Sequence, residues 1–104
     1  MRVKALPYEE ACLYKLKIDK VNSGFNELHI TQRELTHLAN ESITDYRYDE
    51  PTVSLVLTGQ RTMTRKNAVL IDFALDLIKQ RKEYWDKVRS DVKSDVDSAL
   101  LNNK

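Results

Sequence analysis

The sequence is poor in the residues that interrupt helices and in the residue that cross-links chains. Its 104 residues include two Gly, two Pro and one Cys, while 41% of them are hydrophobic. This composition is unlike that of a disordered tail and predicts a folded, helix-rich protein. The single cysteine, Cys12, cannot form an internal disulfide. We interpret it as a small buried hydrophobe and expect a reducing, cytoplasmic location.

Long hydrophobic runs are missing as well. No run approaches the ~20 apolar residues that a membrane-spanning helix needs, and the N-terminal letters MRVKALPYEEACLYK lack the apolar core of a signal peptide. We therefore expect no membrane partner. The length predicts one compact unit with a modest core, small enough that a partner can help to stabilise it.

Charge of one sign is not in excess, because 17 Lys and Arg offset 16 Asp and Glu. This balance excludes a histone-like protein that is basic over its whole surface. The charge is segregated, however. Residues 27–52 carry two basic and six acidic side chains, whereas residues 57–82 carry six basic and two acidic ones. Residues 1–20 have a net charge of +2, so two basic segments flank an acidic one.

Apolar spacing and capping residues predict the first two helices. Residues 8–22 have an amphipathic pattern that should stop at the turn signal Asn22-Ser23-Gly24. The letters TQRE at residues 31–34 form a capping box, in which the Thr31 hydroxyl bonds the Glu34 amide and the Glu34 carboxylate reaches back. With Ile30 and Leu35 as a hydrophobic staple, this predicts a second helix over about residues 31–42.

The segment TVSLVL at residues 52–57 fits two structures. Val53, Leu55 and Leu57 alternate as in a strand, which would give a small hairpin near residues 53–64 that turns at Gly59. The same segment fits one face of a helix that begins at Pro51. Spacing alone does not decide between the strand and the helix.

From Thr64 onward the pattern predicts one long helix, with a single break near Ser90 as an alternative. Apolar residues recur at heptad spacing along it, and such a helix is too long for a small core to cover. We therefore expect residues 1–80 to form the main domain and residues 81–104 a helical extension that dimerises. The expected dimer-interface residues are Ile78, Trp85, Val88, Val92 and Val96.

Five sequence elements occur in a characteristic order between residues 30 and 78. They are Thr31-Gln32, Glu34-Leu35, Thr52-Val53-Ser54, Gly59-Gln60-Arg61 and Thr64. This order resembles the Cro/phage-repressor-like helix-turn-helix family, whose fold is an all-α bundle. The resemblance favours a helix for residues 52–57. It also implies that ESITDYRYDE, at residues 41–50, is an enlarged turn between the two motif helices.

The resemblance implies a small sequence-specific DNA-binding transcriptional regulator of a phage or mobile element that binds double-stranded DNA as a homodimer. Amides at a helix N-terminus and basic side chains near the end of the second motif helix suit phosphate groups. Small hydroxyls on that helix can reach base edges. The residues expected to contact DNA are Thr31, Gln32, Arg47, Thr52, Ser54, Arg61, Thr62, Thr64, Arg65 and Lys66.

The enlarged turn contains Tyr46-Arg47-Tyr48, and two interpretations apply to it. The three residues can form an aromatic and basic finger that touches DNA or a protein. In the other interpretation one tyrosine folds back over the core and Arg47 is solvated.

A second function from a different class also fits the sequence. The acidic segment, together with Glu50 and Leu55 on the second motif helix, suits a protein-interaction module that keeps the helix-turn-helix frame. A phage-encoded inhibitor or anti-repressor of a host nucleic-acid-binding protein is such a module.

Catalytic and metal-binding patterns are weak. No Ser/His/Asp order and no Gly-rich phosphate loop stands out, so we expect neither an enzyme nor a cofactor. His29 and His37 are eight residues apart without neighbouring cysteines, and we expect no metal site.

Overall fold

The computed structural model describes the backbone of residues 5–102 and the side chains of residues 5–90. Over this part the chain forms a helical bundle that ends in a long C-terminal helix, which confirms the predicted all-α class. The helices are α1 Tyr8–Leu28, α2 Gln32–Ser42, α3 Glu50–Leu57 and α4 Arg65–Asn102. Among the described residues, no helix has both the length and the apolar character needed to cross a membrane.

Helix α1 lies alongside α4, and the two helices run in the same direction. Near their N-terminal ends, the Tyr14 hydroxyl donates a hydrogen bond to Asp72 Oδ2 at 2.6 Å. Near the end of α1, Lys82 Nζ lies 3.6 Å from Glu27 Oε2. The buried face of α1 therefore covers the first half of α4, and α2 and α3 complete the core from the other side.

The predicted end of α1 at Asn22-Ser23-Gly24 is wrong, because the helix continues to Leu28. Gly24 is a packing residue here and not a stop signal. A Cβ atom at this position would lie 2.6 Å from Ile78 Cδ1, so the missing side chain lets α1 approach α4 closely. The helix ends one turn later at His29, which has a left-handed φ of 58° and donates its amide proton to the Phe25 carbonyl.

The start of α2 confirms half of the predicted capping box. Thr31 Oγ1 accepts a hydrogen bond from the Glu34 amide at 3.1 Å, and the staple residues Ile30 and Leu35 are both buried in the core. Glu34 does not reach back as predicted. Its Oε1 atom accepts a hydrogen bond from Arg81 Nη2 on α4 at 2.6 Å, because a guanidinium offers a stronger, charge-assisted bond than a neutral amide.

Residues 52–57 are helical, so the alternative of a hairpin near residues 53–64 is wrong. Helix α3 has Pro51 in its first turn, where the missing amide proton costs no hydrogen bond. It buries one face, formed by Val53, Val56 and Leu57. A strand would have placed neighbouring residues 56 and 57 on opposite faces. Gly59, at a φ of 75°, ends the segment.

Helix α4 begins after Thr64 and runs past Ser90 without the break that the sequence offered as an alternative. It also continues through the predicted domain boundary at residues 80 and 81. Contacts with the rest of the bundle extend beyond that boundary, because Arg81 pairs with Glu34 and Lys82 lies near Glu27. The long helix is therefore joined to the bundle for more than its first four turns.

Candidate nucleic-acid interface

One surface groove lies between the start of α4 and the side of α3. We call it the α3–α4 groove; its lining residues are Thr52, Arg61, Thr62, Thr64, Lys66 and Asn67. Its volume is about 360 Å³. Five of these six residues belong to the set predicted to contact DNA. The lining combines two basic side chains with three hydroxyls and an amide, and it contains no carboxylate among the residues that the structure describes.

Hydrogen bonds around Asn67 give the groove its shape. The Asn67 amide donates to Thr64 Oγ1 at 3.3 Å, which caps the first turn of α4. The Asn67 side chain, which is buried, donates from Nδ2 to the Thr62 carbonyl at 2.9 Å. These bonds fix the chain between α3 and α4. Arg61 and Thr62 are left exposed at the rim, where their side chains can meet a ligand from solvent.

Tyr48 does not line the groove but contacts Lys66, which does. The residue is 3% exposed, and its hydroxyl donates to the Lys66 carbonyl at 2.8 Å. Lys66 Nζ is 5.4 Å from the centre of the ring, within the range of a cation–π interaction. Burial, with a smaller contribution from Tyr46, raises the pKa of Tyr48 to about 12, so the hydroxyl keeps its proton at neutral pH and donates it to this bond.

The enlarged turn between α2 and α3 is therefore an ordered segment that covers the core. Tyr48 is buried and Arg47 is exposed, which confirms the interpretation that one tyrosine folds back and the arginine is solvated. Asn40 at the end of α2 holds the segment. Its Oδ1 accepts from the Tyr48 amide and its Nδ2 donates to the Tyr48 carbonyl, each at 2.8 Å.

A second groove separates α2 from α3, and its charge differs from that of the first. We call it the α2–α3 groove; its lining residues are Thr31, Arg33, Glu34, Thr36, His37, Asn40 and Glu50. Its volume is about 490 Å³. Arg33 Nε lies 3.5 Å from Glu50 Oε1. Two carboxylates and one guanidinium make this groove unattractive to a phosphate group at neutral pH.

The structure thus divides the residues predicted to contact DNA. Thr31 faces the α2–α3 groove, and the Gln32 carbonyl accepts from Thr36 Oγ1 at 2.8 Å. Arg65 Nη2 is directed toward α1, 3.6 Å from Glu10 Oε2. Ser54 on α3 is half-buried. None of these residues lines the α3–α4 groove.

The residues predicted for a dimer interface occupy different environments. Ile78 is buried against Gly24 in the core of its own chain and is 8% exposed, so it offers little surface to a second copy. Trp85 is 42% exposed and stacks edge-on with Tyr84, with ring centres 5.5 Å apart.

The three valines predicted for the interface lie further along α4. Val88 is half-buried. Val92 and Val96 lie outside the residues whose side chains the structure describes.

Metal-binding clusters do not occur in the described part of the chain, where no three His, Cys, Asp or Glu side chains converge. His37 Nε2 lies 3.0 Å from Glu41 Oε1, one helical turn further along α2. This is an ordinary exposed pair on a helix surface.

Comparisons of the chain with protein-family models, with curated proteins and with solved structures find no match. Function is therefore inferred from the chemistry of the site.

Sequence reasoning missed two residues, Asn67 and Asn40, and the contact that Tyr48 makes with Asn40. Asn67 lines the α3–α4 groove, and its position three residues after Thr64 is the spacing of a helix cap, a signal that was available in the sequence. Asn40 and Tyr48 act together across eight residues. Neither spacing nor composition signals that contact, because it depends on the path of the turn.

Proposed function

We propose that the protein is a small, non-enzymatic DNA-binding transcriptional regulator of a phage or mobile element, and that it acts in the cytoplasm as a homodimer. The observation that carries this proposal is the α3–α4 groove, which gathers five of the residues expected to contact DNA, two of them basic. Such a combination of cations, hydroxyls and an amide is typical of surfaces that bind the phosphate backbone.

The groove chemistry suits a phosphate group in particular. Arg61 offers a planar fork of donors that matches two phosphate oxygens, and Lys66 adds a point charge. Thr62 is exposed at the rim and supplies a hydroxyl donor. Because these contacts do not depend on base sequence, they would supply affinity and register on the duplex.

Sequence reading is assigned to α3. Thr52 lines the groove and is half-buried. Ser54, on the same helix, is also half-buried but does not line the groove. Their hydroxyls can donate to or accept from base edges, although such groups discriminate weakly between bases. We therefore propose that specificity depends on two copies of α3 that read two half-sites.

Binding to duplex DNA tests the proposal. Fluorescence anisotropy with labelled duplexes from the DNA upstream of the gene should give saturable binding, with a Kd below about 1 µM at low salt. The logarithm of the affinity should fall linearly with the logarithm of salt concentration, by about 0.9 for each phosphate neutralised. No saturation in that range, or an affinity that does not respond to salt, would rule out the proposal.

The homodimer is proposed to form through the exposed aromatic residues of α4. Replacement of Trp85 by Glu should weaken self-association at least tenfold in sedimentation equilibrium, because large aromatic anchors dominate such interfaces. Lys87→Glu is the matched control, since it introduces the same side chain at an exposed position two residues away. A wild-type protein that sediments as a monomer at micromolar concentrations would contradict the dimer.

The α2–α3 groove favours a second candidate function, a protein-interaction module such as an inhibitor or anti-repressor. Glu50 begins α3, and its side chain is 56% exposed. At this position it would repel phosphate and attract a basic protein surface. Under this function, Leu55→Asp on α3 should abolish capture of a partner protein in a pull-down, whereas Arg61→Ala should leave it intact. The opposite pattern would favour DNA.

A further inference from the structure

The two walls of the α3–α4 groove belong to different helices, and one residue in contact with Lys66 links them. Thr52 lies on α3, while Lys66 and Asn67 lie in the first turn of α4. Tyr48 comes two residues before the first residue of α3. Its hydroxyl donates to the carbonyl of Lys66 at 2.8 Å. The side chain of this residue is thus bonded to the α4 wall, and its backbone leads within two residues into α3.

The backbone of Tyr48 is itself held in place. The Asn40 side-chain amide bonds both the amide and the carbonyl of Tyr48, each at 2.8 Å. These two hydrogen bonds engage the peptide groups on both sides of the Tyr48 Cα atom, so they fix the position and direction of the backbone there. Because Tyr48 is also buried in the core, its neighbours leave it little freedom. Three elements, α2, the turn and α4, therefore meet at this residue.

The Tyr48 ring also lies close to the charged group of the groove. Lys66 Nζ is 5.4 Å from the ring centre, and the face of an aromatic ring attracts a cation. Lysine has a flexible stem with several rotatable bonds. A ring beneath the ammonium reduces the number of positions that the charge occupies, and a preorganised charge binds a phosphate with a smaller entropy cost.

We infer that Tyr48 is a positioning residue for the α3–α4 groove: it fixes the first turn of α4 against α3 and holds the Lys66 ammonium where a backbone phosphate would bind. This inference rests on the proposed function for its consequence in DNA binding. The enlarged turn then has a role, since it carries the tyrosine that sets the geometry of the groove.

Tyr48→Phe is the informative substitution, because it removes the hydroxyl and keeps the ring that fills the core. It should weaken DNA binding by about threefold to tenfold, the effect of one lost hydrogen bond. Lys66→Met should itself lower the salt slope by about one. When both substitutions are combined, the additional effect of Tyr48→Phe should fall below about twofold, because coupled residues give non-additive changes.

Tyr46→Phe is the matched control. Tyr46 is the neighbouring tyrosine, is half-buried, and lies with its ring centre 6.4 Å from that of Tyr48. It should change DNA affinity by less than about twofold in either background. If Tyr48→Phe has no effect on affinity, or weakens binding by the same factor with and without Lys66→Met, the positioning role is wrong.

Nuclear magnetic resonance on the free protein separates this inference from the proposed function. The ε-methylene protons of Lys66 should show nuclear Overhauser contacts to the Tyr48 ring and resonate upfield of those of exposed lysines such as Lys87. In Tyr48→Phe these contacts should weaken. Lys66 protons with the same shifts as exposed lysines, and without contacts to the ring, would overturn the inference even if DNA binds. Positive contacts without DNA binding would refute only the proposed function.

Discussion

A Gly24→Val variant is expected to melt about 10 °C below the wild-type protein, because α1 and α4 are in direct contact at Gly24. A Cβ atom at this position would lie 2.6 Å from Ile78 Cδ1 and 3.0 Å from both Ile78 Cγ1 and Cγ2. Valine adds two further methyl groups to that contact. Overpacking of this kind costs about 1–3 kcal/mol, which exceeds the gain of about 0.5 kcal/mol in helix propensity.

Thermal unfolding followed by circular dichroism measures this effect, and two further variants define its cause. Ser23→Val places the same side chain on the exposed neighbouring position of α1 and should change the melting temperature by less than about 3 °C. Ile78→Ala removes all three contacting atoms, so Gly24→Val should cost little in that background. Equal melting temperatures for Gly24→Val and Ser23→Val would contradict the close contact between α1 and α4.

Reversal of both charges in the α3–α4 groove is expected to lower DNA affinity by more than about 100-fold at low salt. In the double variant Arg61→Glu/Lys66→Glu, two favourable phosphate contacts become two repulsive ones. The fold should persist, because Arg61 is exposed and a carboxylate at position 66 lies in the first turn of α4, where it is favourable. The salt slope should become shallower by about two.

The matched control for this double variant is Lys79→Glu/Lys87→Glu, which makes the same change in net charge. Both lysines are exposed on α4, about 20 and about 31 Å from Lys66 along the helix axis. The control should lower DNA affinity by less than about tenfold, through the change in overall field. If the two double variants weaken binding equally, total charge governs the interaction and the groove has no special role.

Local signals in the sequence predicted much of this fold. The cap at Thr31 and the staple of Ile30 and Leu35 predicted the start of α2, because these signals involve residues close together in the chain. If residues 52–57 are taken as a helix, the spacing of their apolar residues also predicts which face of α3 is buried. Spacing left that choice open, and the order of motif elements favoured the helix.

The errors concern residues whose partners are distant in sequence. Glycine is common both where helices end and where two helices approach closely, so the sequence signal at Gly24 fits either role. Its contact with Ile78 on α4 shows that it is a packing residue. Glu34 has a local partner at its cap and a distant one at Arg81, and the charged partner binds it. Ile78 fits a surface heptad pattern, but the extended α1 buries it.

The candidate site was predictable in its residue types more than in its geometry. Thr52, Arg61, Thr62, Thr64 and Lys66 were selected from the order of motif elements, and the structure brings them into one groove. Their separation from Thr31 and Arg65 depends on how α2 and α1 pack, which sequence spacing does not specify. The contact of Tyr48 with Lys66 spans 18 residues and a turn without regular structure, so no periodic pattern indicates it.

Chemical-shift mapping of the protein with a short DNA duplex tests the central claim most directly, because it reports which surface the DNA touches. With ¹⁵N-labelled protein and increasing duplex, the largest amide shifts should occur at Thr52, Thr62, Thr64 and Asn67, around the α3–α4 groove. They should diminish as salt is added. Shifts confined to the outer face of α1, where Leu13 and Leu16 are exposed, or no shifts at all, would contradict the assignment of this groove to DNA.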